Sequence, residues 1–352
     1  MRHDTVRPRL PGAPDRGRLK DLPLDKTIWQ KAWQAFLDED YKASLDLARS
    51  CLDGADPGGD SPLSLVPDAG APTVQDCVVL CARNLFQLDL YEDFEVLLAS
   101  AGRWGMVADS TPDLDVVNLA FACKRGRYLQ VVDEATTYID ANRRQLPPVI
   151  ADFLYLRGLA LSHLGDPGRA REDAEAAYAV FRVLGREFDG ARTANLLGMI
   201  AFRESEFRVA VKWFRRALEL HTQLGMIKNM GGNRLNIGIS HYKQGRLGRA
   251  LTELRAAGRL LAEVDARVSL CRCAIAEGNT LRLKRDFNAA RAQLLKAYEA
   301  ANQLMLSREE ALALEFLGDV CRDEGAYEKA RRYYSRALAV GRSIAPEGDI
   351  VM

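Results

Sequence analysis

Apolar residues in the second half of the chain return at helical spacing in paired runs, each pair repeating after 40 residues. In the last copy Leu314, Leu317 and Cys321 share one face, Gly325-Ala326-Tyr327 interrupts, and Ala330, Tyr334 and Ala337 continue on a second face. Three columns of small residues hold the phase. Gly158, Gly198, Gly238, Gly278 and Gly318 form the first, Ala170, Ala210, Ala250, Ala290 and Ala330 the second, and Ala177, Ala217, Ala257, Ala297 and Ala337 the third. Between glycine and alanine lies a break in the apolar pattern: Gly165-Asp166-Pro167, Ser205-Glu206-Phe207, Gly245-Arg246-Leu247, Arg285-Asp286-Phe287, then Gly325-Ala326-Tyr327. The pattern predicts two helices joined by a tight turn, with small side chains where their axes approach. A glycine inside a helix costs about 1 kcal/mol against alanine, so five in phase imply that close contact outweighs that cost.

The second helix of each pair is predicted to stop near Leu184-Gly185 and Leu224-Gly225, where glycine adopts the left-handed cap. Ser307 and Glu310 stand at the spacing of a capping box opening a first helix, and Gly231-Gly232 reads as a turn between pairs. No segment reads as a strand. Extending the register backwards, Gly126 with Tyr128, then Tyr91, then Tyr41 mark weaker copies beginning near Pro112, Gln75 and Asp25. The chain is therefore expected to be all-α, about eight helical hairpins starting near residues 25, 75, 112, 151, 191, 231, 271 and 311. Gly, Pro, Asp and Ser between 54 and 73 read as a loop. Residues 1–24, basic and proline-rich, read as a disordered arm, and 346–352 as the start of a further, truncated hairpin.

Composition narrows the function. Hydrophobic residues are 48% and charged ones 28%, and 49 basic against 48 acidic residues leave a formal charge of +1. No basic excess calls for direct nucleic-acid binding, and no apolar run is long enough to span a membrane. Seven scattered cysteines include no CxxC pair and imply a reducing, cytoplasmic setting. Cys77 and Cys81, one turn apart, read as small buried residues rather than a metal site. Phosphate-loop, nucleophile-elbow, zinc-protease and EF-hand patterns are all missing, and His3, His163, His221 and His241 fall in different segments. The expectation is a non-enzyme without cofactor or metal. The pairs Arg215-Arg216 and Arg331-Arg332 read as solvated outer faces.

Leu317-Gly318, Gly325, Tyr327, Ala330, Tyr334, Ala337 and the later Pro346 resemble the tetratricopeptide-repeat signature. The 40-residue period is similar to the long-helix variety of kinesin light chains, spindle-orientation adaptors and bacterial sensor regions. The stretch Ser307 to Gly325, SREEALALEFLGDVCRDEG, resembles repeats that precede the ATPase and DNA-binding domains of sigma-54-type regulators. The resemblance implies a right-handed α-α superhelix that binds a protein or peptide, as an amphipathic helix or an extended segment, on the concave face lined by first helices.

In such repeats the residues three before, one after and four after the glycine point into the groove. Here these are Tyr155, Leu159 and Ser162; Asn195, Met199 and Phe202; Leu235, Ile239 and Tyr242; Ile275, Asn279 and Arg282; and Glu315, Asp319 and Arg322. Asn236, beside Ile237-Gly238, resembles the asparagine by which long-helix repeats hold a ligand's backbone; Asn195 is shifted from that place by one. The binding groove is thus assigned to Tyr155, Asn195, Met199, Phe202, Leu235, Asn236, Ile239, Tyr242, Asn279 and Arg282. The last helix leaves Tyr333, Tyr334 and Leu338 uncovered, which suggests a homodimer through the C-terminal end. The expected role is the sensing region of a bacterial transcriptional regulator, the alternative a stand-alone scaffold or adaptor.

Overall fold

The computed structural model describes residues 26–37, 40–53, 74–88, 90–101, 112–142 and 148–344. The arm at 1–24, the loop at 54–73 and the segment 346–352 lie outside the described residues. Sixteen helices follow one another in packed hairpins, with no strand among the described residues. They fall into two compact units that divide within α7 (Ile150–Leu164), between Ala160 and Leu161.

The first unit comprises α1 (Lys26–Leu37), α2 (Tyr41–Asp53), α3 (Val74–Leu88), α4 (Tyr91–Ala101), α5 (Pro112–Lys124), α6 (Tyr128–Asn142) and the start of α7. The tyrosines read as turn markers each open the second helix of a pair: Tyr41, Tyr91 and Tyr128. One core gathers Leu45, Cys77, Cys81, Phe94 and Phe121. Another gathers Val131, Ala135, Phe153 and Leu156, where Tyr138 and Phe153 stack with centroids 3.8 Å apart. Buried Asn84 donates to the Ser44 hydroxyl at 2.9 Å, and Ser44 donates to the Ala32 carbonyl at 2.7 Å. That chain ties α1, α2 and α3 together. Cys77 and Cys81 are fully buried in this core.

The second unit is more regular. Helices α8 (Pro167–Val183), α9 (Glu187–Arg203), α10 (Phe207–Gln223), α11 (Ile227–Lys243), α12 (Leu247–Glu263), α13 (Arg267–Leu283), α14 (Phe287–Gln303) and α15 (Ser307–Asp323) each have 17 residues, and α16 (Tyr327–Ile344) has 18. Three-residue turns separate them, so the chain reverses every 20 residues. Each of these turns, and the shorter one before α8 that holds Gly165, places one residue at positive φ: Gly165, Gly185, Ser205, Gly225, Gly245, Asp265, Arg285, Met305 and Gly325. The turn closes by two backbone bonds, as at Arg186 N to Phe181 O (2.9 Å) and Gly185 N to Arg182 O (3.3 Å), the Schellman arrangement that satisfies the last carbonyls of a helix. Four of the nine positions hold residues other than glycine, each bearing the cost of a left-handed backbone, about 1 kcal/mol. Met305, with φ 53° and an exposed side chain, touches little that would be lost on removal. Met305→Gly is expected to raise stability by about 1 kcal/mol in urea unfolding; an unchanged or lower midpoint would contradict the strain.

Two turn readings need correction. Gly231-Gly232 lies inside α11 instead of between hairpins, because the reversal is already made at Gly225. Gly231 serves packing: a Cβ there would stand 2.7 Å from the Leu261 side chain. Ser307 makes no capping box, since Leu306 is the N-cap of α15 and no side chain caps it. There the preceding turn sets the start, with Leu306 N bonded to Ala301 O at 2.8 Å. Aspartate does cap where it precedes α8 and α14: Asp166 accepts from Arg169 N at 3.1 Å and Asp286 from Ala289 N at 3.2 Å.

The small-residue columns sit where the helices touch. Ala170, Ala210, Ala250, Ala290, Ala177, Ala217, Ala257 and Ala297 are fully buried. The glycine column faces a larger residue on the second helix of its own hairpin: Gly198 faces Phe214, Gly238 Leu254, Gly278 Leu294 and Gly318 Tyr334. An added Cβ would lie between 2.5 and 2.8 Å from those side chains, closer than carbon atoms pack. The glycines are the hollows into which these knobs fit.

Candidate functional site

The second unit brings most of the sequence-assigned groove residues onto successive first helices, α9, α11 and α13, whose packing continues to α15. On α9, Met199 and Phe202 are half-buried against the cluster of Ala210, Phe214 and Ile237, and the Phe202 ring meets Phe207 edge-on at 5.3 Å. On α11, Ile239 packs on the next cluster and Tyr242 stays half-exposed. Asn236 Nδ2 reaches Asn195 Oδ1 at 3.3 Å. The one-residue offset in sequence thus still lets the two amides meet across neighbouring helices.

Leu235 and Asn279 are corrections to the open-groove reading. Leu235 is only 7% exposed, because it fills the space left by Ala257 and Cys273 beside Leu254 and Leu261. Asn279 is 5% exposed and its amide is already engaged: it donates to the Tyr242 hydroxyl at 2.9 Å and accepts from Arg282 Nε at 3.0 Å. Tyr155 belongs to the first unit, where it packs against the cluster of Phe153 and Leu156.

Arg282 is committed as well. Its guanidinium meets Asp323 at 2.6 Å and Asp319 at 3.3 Å, and Arg322 pairs with the same two carboxylates at 3.0 Å each. The Tyr334 hydroxyl donates to Asp319 Oδ1 at 2.8 Å, so a continuous polar network joins α11, α13, α15 and α16. Burial works against the Asp323 carboxylate, but hydrogen bonds and charge from Arg282 and Arg322 outweigh it and hold its carboxyl below the usual range. Burial and then the Asp319 contact push the Tyr334 phenol up to about 12. Register alone places Asp319 and Arg322 at inward positions, but their pairing depends on Arg282, which stands on the preceding first helix. This end of the run offers fixed, self-neutralised charge, and the α9–α11 end offers apolar and amide surface.

Beyond the run, the last hairpin leaves an open groove of about 720 Å³ between α15 and α16, lined by Ala311, Glu315, Tyr334 and Leu338 among others. Leu338 is 56% exposed there. On the second helices, Arg216 donates to the Tyr178 hydroxyl at 3.0 Å and pairs with Glu219 at 3.1 Å, while Arg215 is exposed. All seven cysteines are buried, and burial pushes the thiols of Cys123 and Cys273 up to about 12. Among the described residues no helix is long and apolar enough to cross a membrane, and no three His, Cys, Asp or Glu side chains gather as metal ligands.

Knob-and-hollow hairpins in a 40-residue register define a tetratricopeptide-type solenoid, and the chain carries such repeats: residues 149–223 and 275–347 each match a family described as tetratricopeptide repeat. This is the architecture of a protein–protein interaction module. Among solved structures, a Rap protein complexed with competence and sporulation factor is 10% identical, with TM-score 0.60, covering 90% of this chain and 97% of its own. The apo form of RapI is 12% identical, with TM-score 0.57, covering 92% and 99%. BtubC from P. vanneervenii is 14% identical, with TM-score 0.51, covering 64% and 94%. At these identities the likeness is one of fold. No curated protein sequence matches the chain.

Proposed function

We infer that this chain is a non-catalytic binding module that takes a peptide or a segment of a partner protein along its first-helix face, and that it serves as the sensing region of a bacterial regulator of the sigma-54 type. The observation that carries the binding is the half-buried run of Met199, Phe202, Asn236, Ile239 and Tyr242 on α9 and α11. Apolar side chains there flank the Asn195–Asn236 amides, whose remaining donor and acceptor atoms suit a ligand's backbone. The paired charges of Arg282, Asp319, Arg322 and Asp323 would bound the site at its other end. The Rap neighbour, solved with competence and sporulation factor, supports a signalling use of this fold. The regulator role itself rests on the resemblance of Ser307 to Gly325. Association of two copies through the open α15–α16 groove belongs to the same reading.

The test is to recover the partner by crosslinking from the native organism, then titrate it against variants. Phe202→Ala and Tyr242→Ala are each expected to weaken binding by about 1–3 kcal/mol, as loss of an aromatic anchor does, with helicity unchanged. Sedimentation of the free chain reads self-association, which Leu338→Glu is expected to abolish. Binding that survives both groove substitutions puts the ligand elsewhere, and a monomer at all concentrations removes the dimer.

A further inference from the structure

On the second helices of the regular unit, one register position is held in turn by Tyr178, Leu218, Gly258, Tyr298 and Leu338. Where tyrosine stands there, it closes the seam to the next second helix. Tyr178 lies edge-on to Trp213 at 5.3 Å and accepts from Arg216 Nε at 3.0 Å. Tyr298 accepts from Arg336 at 2.6 Å. Leu218 packs into the Phe214–Ile237 cluster. Gly258 breaks the series. Facing it across the seam stands Lys296, the register equivalent of Arg216 and Arg336.

The missing ring leaves a cleft of about 690 Å³ between α12 and α14, with α13 as its floor. A Cβ at Gly258 would find only the Cys273 sulfur within 4 Å, at 3.8 Å, so the position opens onto free space instead of backbone. Leu270 and Ala274 on α13 and Ala297 on α14 give the cleft apolar walls, Glu277 on α13 is taken up by Arg255, and the rim is basic. Among the rim cations Arg255 is paired with Glu277 at 2.9 Å and Arg267 with Asp265 at 3.1 Å. Arg259 and Lys296 have no ion-pair partner among the described residues. An apolar cavity of this size with two uncommitted cations at its mouth has the form of a small-molecule site.

We propose that this cleft binds a small aromatic carboxylate, its ring lying at the register position that Tyr178 and Tyr298 fill in their own seams and its carboxylate meeting Lys296 and Arg259. The site opens between second helices and shares no residue with the run of Met199, Phe202, Asn236, Ile239 and Tyr242. The chemistry follows from the register: the cation survives at the seam while the ring it would hold is absent, so the ring comes from outside. The added carboxylate answers two cations that tyrosine alone would leave unneutralised.

The experiment is calorimetric titration of the full chain with para-hydroxyphenylpropionate, with tyramine as the probe of like ring and opposite charge. The wild type and Gly258→Ala are expected to bind the acid alike and saturably, and tyramine not at all. Gly258→Tyr supplies the ring internally and is expected to bind at least about tenfold more weakly while unfolding no earlier than wild type. Lys296→Glu, an exposed change, is expected to bind at least about tenfold more weakly for lack of charge. The proposal is overturned if the wild type shows no saturable binding, if tyramine binds equally well, or if affinity is unchanged in Gly258→Tyr or in Lys296→Glu.

Discussion

Gly238→Leu is expected to destabilise the protein by about 3 kcal/mol, the upper end of the cost of overpacking a filled core. A Cβ at this position already stands 2.8 Å from Leu254 Cγ and Cδ2 and 3.3 Å from the Leu254 backbone nitrogen. Leu254 itself is fully buried among Leu235, Ala257 and Leu261, so it has no alternative rotamer space and α11 must move away from α12. The mechanism predicts more than a loss. In a Gly238→Leu, Leu254→Ala double variant the knob changes sides, and the new leucine fills the space the old one vacates. Its destabilisation should therefore be well below the sum of the two single changes, a coupling of the kind expected for residues in direct contact. Urea unfolding of the four proteins measures this. A Gly238→Leu variant as stable as the parent, or strictly additive effects, would refute the knob-and-hollow account.

Acid is expected to loosen the same unit through His221. This ring is 3% exposed, with Asn233 Nδ2 2.7 Å from Nδ1 and Asn229 Nδ2 3.2 Å from Nε2. Burial chiefly pushes its pKa down from 6.5 to about 4; a hydrogen bond to the Ala217 backbone opposes this, and Arg192 adds to it. Between those two values the unfolded chain takes up a proton that the native chain refuses, so unfolding gains as pH falls. The contribution is fully present above pH 6.5 and is lost progressively down to about 4, in total about 3 kcal/mol. About 2 kcal/mol of it would be gone by about pH 5, before most carboxylates titrate. Unfolding free energies measured over that interval should slope less steeply in His221→Gln than in the wild type, the remaining slope coming in part from His163 and His241, which burial also holds below the usual histidine range. Equal slopes in the two proteins would mean that His221 is not the group responsible.

How much of this was written in the sequence depends on distance along the chain. The hairpins were legible because Gly198, Gly238, Gly278 and Gly318 must all be small for one reason, contact with a partner sixteen residues on, and a shared reason leaves a shared period. The turn at Gly225 was legible because its backbone conformation favours glycine. The equivalent turns lack that glycine: those at Ser205 and Arg285 showed only as a break in the apolar pattern and those at Asp265 and Met305 left no mark, since the helix pairs on either side hold the chain reversed without it. Gly231 misled because a glycine in a hollow and a glycine in a turn look alike from composition. In the candidate site, inward positions could be assigned by register. Which of them were already spent on one another could not, because Asn279 with Tyr242 and Arg282 with Asp319 meet only across adjoining hairpins. The cleft beside Gly258 was not legible, because the register position it occupies holds tyrosine in two copies and leucine in two others, and only the packed helices turn the glycine into a space.

The uniform helices of the second unit also restrict how such a chain can change length. One residue inserted into a 17-residue helix turns every later side chain on that helix by about 100°. Gly238 and Leu254 would then no longer meet. An insertion of 40 residues at a turn, by contrast, adds one hairpin and leaves every existing knob opposite its hollow. Unequal recombination within the gene would therefore be purged when it is out of step and tolerated when it moves whole hairpins. Lineages carrying this protein should differ by whole hairpins and seldom by single residues within helices.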